Sequence, residues 1–199
     1  MRWERLFEDL EDQLAADAEA ERVALDAESE RLRVARLTLR ERLRAMAGGA
    51  AASVAVEVAE DTTVRGEICA VGADFIALRV DGSRVFALIP APAVRSVTMP
   101  VEAMRAGDGS TAPSPVAERL TLGFVLRDVS RRRLGVSIDT AAGTLVTGTI
   151  DRVGADHLDI ALHDAGIPRR PSEVRGVRLL PFASVACVRW SGMHTPSML

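Results

Sequence analysis

The 199-residue chain, with 48% hydrophobic residues, is large enough to bury one or two globular cores. Its net charge is −3, and no apolar run approaches the roughly 18 residues that a membrane-spanning helix needs. No signal peptide opens it, so we expect a soluble cytoplasmic protein without a membrane partner. All 25 basic residues are arginine, and Lys, Tyr and Asn are absent, a composition typical of GC-rich bacterial genomes.

The first part of the chain is predicted to be a long acidic helix that spans residues 1–49. Trp3 to Ala47 contains neither Gly nor Pro, and Gly48 and Gly49 then end the helix. Residues 1–30 hold eleven acidic residues and three arginines, a balance of −8 that leaves +5 for the rest of the chain. Apolar residues recur at spacings of three and four near its start, namely Trp3, Leu6, Phe7, Leu10 and Leu14. This stripe either packs on the protein's own body or a twin helix, or binds a partner protein.

The rest of the chain repeats itself. VRGEICAVGADFIAL, which starts at Val64, and VTGTIDRVGADHLDI, which starts at Val146, share seven identities at an offset of 82. LIPAPAVRSV from Leu88 answers LLPFASVACV from Leu179 at an offset of 91. The four residues RLTL occur at 36–39 and again at 119–122. We therefore interpret the chain as two copies of one helix-plus-strands unit.

Alternating apolar residues and turn signals predict five strands in each copy. The first copy occupies residues 50–99 and a Pro/Gly/Ser-rich linker residues 100–118. A helix at Arg119–Arg132 then leads the second copy, and residues 119–190 form one unit before a disordered tail at 191–199. The predicted strands start near Ser53, Val64, Phe75, Val85 and Val94, and near Leu134, Leu145, His157, Val174 and Ser184.

Five short bent strands bury both faces most simply when they close into a small barrel. The pattern Gly66, Ile68, Val71 and Asp74, repeated from Gly148, resembles that of the Sm/LSm (Hfq-like) family of small β-barrel proteins. The resemblance implies a mainly β, α+β fold: two tandem Sm-like five-stranded barrels, each preceded by a helix, after the long N-terminal helix. It also implies that barrel edges form oligomers. The family's RNA-binding Asn is replaced by Ala77 and Asp159.

No residue pattern indicates an enzyme. The sequence holds no Gly-rich phosphate loop, nucleophile elbow or HExxH motif, so we expect no catalytic residues and no cofactor. His157, Asp159 and His163 spread over about 20 Å of one strand, which is too far for a single metal ion. A solvated strand face explains these three better, and no metal site is expected. Cys69 and Cys187 have no CxxC spacing and suit buried reduced thiols.

Two binding functions fit these features. The first is a non-enzymatic scaffold or regulatory module that acts through protein–protein contacts of the front helix and barrel edges, including self-association. The second is a nucleic-acid-binding regulator that uses an arginine cluster, in which the acidic helix could shield the basic body. This cluster comprises Arg127, Arg131, Arg132, Arg133, Arg169 and Arg170. The arginine-rich composition and the scarcity of aromatic residues favour the first function.

Overall fold

The structure is a computed structural model that describes residues 2–47, 53–59, 62–107, 119–167 and 169–191, without the side chains of 2–12 and 105–107. It divides into two compact units, Met1–Leu39 and Arg40–Leu199. The helices are α1 (Arg2–Arg36), α2 (Leu39–Ala47), α3 (Val101–Gly107) and α4 (Leu122–Arg131). The strands are β1 (Ser53–Ala59), β2 (Thr62–Val71), β3 (Phe75–Val80), β4 (Val85–Pro90), β5 (Ser96–Thr98), β6 (Gly135–Thr140), β7 (Leu145–Val153), β8 (His157–Leu162), β9 (Gly176–Pro181) and β10 (Val185–Ser191). None of the described helices is both long enough and apolar enough to cross a membrane.

The first unit consists mainly of the single helix α1. Ion pairs at a spacing of three residues run along it, with Arg22 on Glu19 and Arg33 on Glu30. The predicted uninterrupted helix to Ala47 is wrong, because α1 ends at Arg36 and α2 begins at Leu39. At the break, the N–H of Leu37 donates to Val34 O at 3.1 Å, a tightened last turn that ends a helix. The proposed stop at Gly48 and Gly49 lies outside the described residues.

The ten strands form one open antiparallel sheet in the order β5-β1-β2-β3-β4-β10-β6-β7-β8-β9. The prediction of two closed five-stranded barrels is therefore wrong. Within the described residues, the free edge of β4 pairs with β10 of the other repeat instead of closing on β5. The strand predictions themselves are confirmed to within about two residues at each start. The reason for the error is that β10 satisfies the edge of β4 without closure.

We call β5-β1-β2-β3-β4 the first half-sheet and β10-β6-β7-β8-β9 the second half-sheet. Each has the same strand order, and the repeated residues occupy matching positions. Gly66 lies opposite Val80 and Gly148 opposite Leu162. Both ladders shift register two residues further on, after Ile68 and after Ile150. These bulges bend the strands around the core.

One helix packs on each of the two apolar clusters of the sheet. Leu43 of α2 is buried in one apolar cluster with Val54, Val56 and Ile89. α4 contributes four buried residues to the other cluster: Leu122, Val125, Leu126 and Val129. An apolar stripe on each helix thus buries the sheet face that closure would otherwise have to protect.

The ladder between β4 and β10, which we call the junction, joins the two half-sheets. It pairs Leu88 with Val188 and Phe86 with Trp190, whose rings stack with centroids 6.0 Å apart. A second contact lies at the β2–β3 turn, where Ala73 N–H donates to Leu120 O at 2.7 Å. The two half-sheets are therefore joined by the junction and by a hydrogen bond from the β2–β3 turn to the residues just before α4.

Three further segments differ from the expectations or lie outside the description. The expected linker at 100–118 begins with the helix α3, and residues 108–118 are not described. The leading helix of the second repeat starts at Leu122 instead of Arg119. β10 extends to Ser191, and the remainder of the expected tail, residues 192–199, lies outside the described residues.

Candidate interaction surfaces

The predicted arginine cluster starts on α4. Thr121 caps this helix, since its hydroxyl accepts a hydrogen bond from Phe124 N–H at 3.3 Å. The apolar side of α4 faces the core, which leaves Arg127 and Arg131, four residues apart, on the exposed side. Arg127 donates to the carbonyl of Gly154 at 2.9 Å and thereby ties α4 to the β7–β8 turn. The helix thus fixes the position of Arg127.

Asp151 brings the two parts of the predicted cluster together. Its carboxylate accepts from Arg133, just after α4, at 3.1 Å. It also accepts from Arg169 at 2.8 Å, on the loop between β8 and β9, which we call the inserted loop. The hydrogen bond from Arg169 to Asp151 raises the pKa of that guanidinium above its ordinary value, and the attraction between the charges adds to the effect. Sequence reasoning missed Asp151, whose charge offsets part of the patch.

The remaining members of the cluster divide by their partners. Arg132 pairs with Asp128, one helical turn earlier, at 2.8 Å. Arg131 donates to the carbonyl of Arg127 at 3.3 Å, and Arg170 is exposed on the inserted loop. Within the residues that the structure describes, Arg127, Arg131 and Arg170 have no carboxylate partner. Nucleic-acid binding by the six arginines stays a prediction.

A row of apolar side chains lies along α1. Leu14, Leu25 and Leu32 are each more than half exposed. At about 100° per residue, these leucines and Ala18 fall within roughly 40° of one another around the helix axis. Val23 is also 59% exposed but lies on the opposite side. Trp3, Leu6, Phe7 and Leu10 lie in α1, although their side chains are outside the described part.

β9 carries a second exposed apolar surface that the sequence did not indicate. Val177 is 63% exposed and Leu179 is 61% exposed, both on the outermost strand of the second half-sheet. At the other outer edge, β5 pairs with β1 through Ser96–Thr98, and no other described strand lies beside it. Exposed apolar residues at an unpaired strand edge are a common site of strand addition by another chain.

His157 and His163 have different environments. His163 is buried, with 2% of its surface exposed, which differs from the predicted solvated face. Its Nδ1 donates to the carbonyl of Asp164 at 3.0 Å, and its Nε2 shares a hydrogen bond with the hydroxyl of Thr149 at 2.9 Å. His157 instead pairs with Asp156 at 2.8 Å. Among the described residues, no group of three His, Cys, Asp or Glu is placed to hold a metal ion.

Two cavities lie near the junction. One, of about 490 Å³, has mainly apolar walls from residues such as Pro90, Leu122 and Phe182. Its carboxylate, Asp74, already accepts a hydrogen bond from Leu122 N–H at 2.6 Å. The other, of about 520 Å³, is lined partly by His163, whose ring nitrogens are both hydrogen-bonded. The polar residues of this second lining also include Ser137, Arg189 and Ser191.

Comparison of the chain with models of known protein families gave no match, and comparison with curated proteins also gave none.

Proposed function

We propose that this protein is a non-enzymatic scaffold that binds other proteins through α1. The observation that carries the proposal is the exposed apolar row of Leu14, Leu25 and Leu32 on one side of that helix. An exposed row of this kind is typical of a helix that docks into an apolar groove or against another helix. The balance of −8 in residues 1–30 selects a partner whose apolar groove has basic flanks.

Affinity purification from the cells that naturally contain the protein tests this proposal. We expect a stoichiometric partner to bind the wild type and the control variant Val23→Asp, whose substitution lies on the opposite side of α1. The double variant Leu25→Asp/Leu32→Asp should bind that partner at least about 100-fold more weakly, because two apolar anchors become charged. Circular dichroism should show equal helix content in all three proteins.

Two results would contradict the scaffold function. The wild type could bind no partner in stoichiometric amount, or the double variant could retain the same partner with the same affinity as Val23→Asp. The second result would exclude the apolar row of α1 as the binding surface.

Nucleic-acid binding is the second candidate function. Three arginines that have no carboxylate partner among the described residues favour it: Arg127, Arg131 and Arg170. Mixed-sequence RNA and DNA should be titrated with the full-length protein at low and moderate salt. If this function is correct, affinity falls with salt, and Arg127→Ala/Arg131→Ala reduces the slope of log K against log salt by about 1.5, as expected for two lost phosphate contacts. No binding at low salt would exclude it.

A further inference from the structure

The outer strands β4 and β9 of the two half-sheets have related sequences but opposite environments. At the offset of 91, Phe86 corresponds to Val177 and Leu88 to Leu179. Phe86 is 8% exposed and Leu88 fully buried, whereas their counterparts on β9 are 63% and 61% exposed. β9 thus presents the surface that β4 buries.

The junction shows what covers that surface. Phe86 and Leu88 lie on the first half-sheet, yet they pack in a cluster formed mainly by the second half-sheet and α4. β10 lies directly against them, with Val188 opposite Leu88 and Trp190 opposite Phe86. We use β4 type and β10 type for these two strands and their equivalents in the other repeat. A strand of the β10 type, together with the half-sheet beyond it, therefore covers the apolar side chains of a strand of the β4 type.

The other free edge of the molecule, β5, is a strand of the β10 type. At the same offset Val97 corresponds to Val188, and both occupy the same place against the preceding strand, opposite Val56 and opposite Ile138. When the junction register is transferred, Leu179 of β9 falls opposite Val97. β5 and β9 thus have complementary apolar positions but lie at opposite ends of one sheet.

Charges also match in this register. Beside the junction, Arg189 of β10 forms an ion pair with Asp139 of the adjacent strand β6. The corresponding β5 residue is Thr98, which carries no charge, while the acidic residue is retained on β1 as Glu57. In the transferred register, Arg178 of β9 lies across Thr98 on the same face as Glu57. Arg178 of β9 would then supply the basic partner of Glu57.

We propose that copies of this chain associate head to tail, with β9 of one copy pairing antiparallel with β5 of the next. In this arrangement Leu179 pairs with Val97, Arg178 with Thr98 and Val177 with Met99. The interface joins two different surfaces, so it propagates into a closed ring or a filament. It is a second binding surface, independent of the one proposed for α1.

Sedimentation velocity of the full-length protein over a wide concentration range tests the interface. We expect reversible self-association of the wild type. Leu179→Asp should weaken it about 10- to 100-fold, the factor expected for one buried leucine, whereas Leu145→Asp should not change it. Leu145 is a matched control because it is 59% exposed on β7, away from the free edge. A wild type that stays monomeric, or a Leu179→Asp variant that associates like the wild type, overturns the proposal.

Disulfide trapping tests the head-to-tail register. Paired antiparallel residues have Cα atoms about 4.5–5.5 Å apart, within the range that a disulfide spans. Under oxidation, a mixture of Val97→Cys and Leu179→Cys chains should give a covalent dimer, and neither variant alone should. The wild type, which contains Cys69 and Cys187, serves as the background control. Crosslinking of Leu179→Cys alone would indicate symmetric β9–β9 pairing and overturn the register.

A double variant separates this interface from α1. Leu25→Asp/Leu32→Asp should associate like the wild type. If that double variant abolishes self-association, α1 forms the contact between copies, and the edge proposal falls while α1 remains a protein-binding surface.

Discussion

Gly66 and Gly148 are the two positions where a single methyl group should be most damaging. A Cβ atom at Gly66 would lie 2.9 Å from the carbonyl carbon of Arg79 on β3 and still closer to its oxygen. A Cβ atom at Gly148 would lie 2.9 Å from the carbonyl carbon of Ala161 on β8. Nonbonded carbon atoms normally stay about 3.5–4.0 Å apart, so either alanine must push the neighbouring strand away by about 0.6–1 Å.

That displacement is a sizeable part of the strand spacing of about 4.8 Å, and it weakens the ladder hydrogen bonds on either side. Overpacking costs about 1–3 kcal/mol, and each weakened backbone hydrogen bond adds up to about 1 kcal/mol. We therefore expect Gly66→Ala and Gly148→Ala each to lower the free energy of unfolding by about 2–4 kcal/mol. With a urea m-value of about 2 kcal/mol per molar, the midpoint falls by about 1–2 M.

Gly135→Ala is the matched control, since a Cβ at Gly135 would meet no described atom within 4 Å. This variant should unfold within about 0.5 kcal/mol of the wild type. Urea denaturation followed by circular dichroism measures all three variants. If Gly66→Ala and Gly135→Ala have the same midpoint, the close approach of β2 to β3 is not the reason for the repeated glycine.

Three further predictions concern single hydrogen-bonding or buried side chains. Asp74→Ala should lower the free energy of unfolding by about 1–2 kcal/mol in urea denaturation, because it removes the acceptor at the start of α4, whereas Asp156→Ala should change it by less than about 0.5 kcal/mol. Burial raises the pKa of the Cys187 thiol from 9.0 to about 12. The folded state therefore holds this proton more tightly than the unfolded state, and the free energy of unfolding should fall as the pH rises from 9 towards 12. The thermal midpoint of Cys187→Ala should fall less than that of the wild type over the same pH range. An equal fall would contradict this reasoning. Thr149→Val removes the hydroxyl bonded to the buried ring of His163 and should cost about 1–3 kcal/mol in thermal unfolding; no change would show that the hydrogen bond contributes nothing.

Local structure could be predicted from the sequence because each strand carries its own signal. Alternating residues and turn signals located all ten strands, and the repeated Gly66 marks a close backbone approach that the structure explains. The break between α1 and α2 contains neither Gly nor Pro, but Thr38 followed by Glu41 three residues later is a pattern typical of a helix start. A single turn that closes on Val34 is enough to end α1, and intrinsic helix propensity does not report it.

Strand partners and charge partners could not be predicted in the same way. FALIP on β4 and VRLLP on β9 read as equivalent strands, and only the three-dimensional pairing shows that one is covered and the other is not. The carboxylate partner within the arginine cluster was not predictable for the same reason. Asp151 precedes Arg169 by 18 residues, and no sequence spacing reveals that it lies between Arg133 and Arg169.

The place of β10 in the sheet has a consequence for folding during synthesis. β10 is the last described strand along the chain, yet it lies in the middle of the sheet between β4 and β6. Until it leaves the ribosome, the nascent chain presents two unpaired inner strand edges, together with the apolar side chains of Phe86 and Leu88 that β10 later covers. Sheets completed by such distant pairings form slowly and expose surfaces prone to aggregation. The nascent protein should therefore depend on chaperones until its final strand inserts.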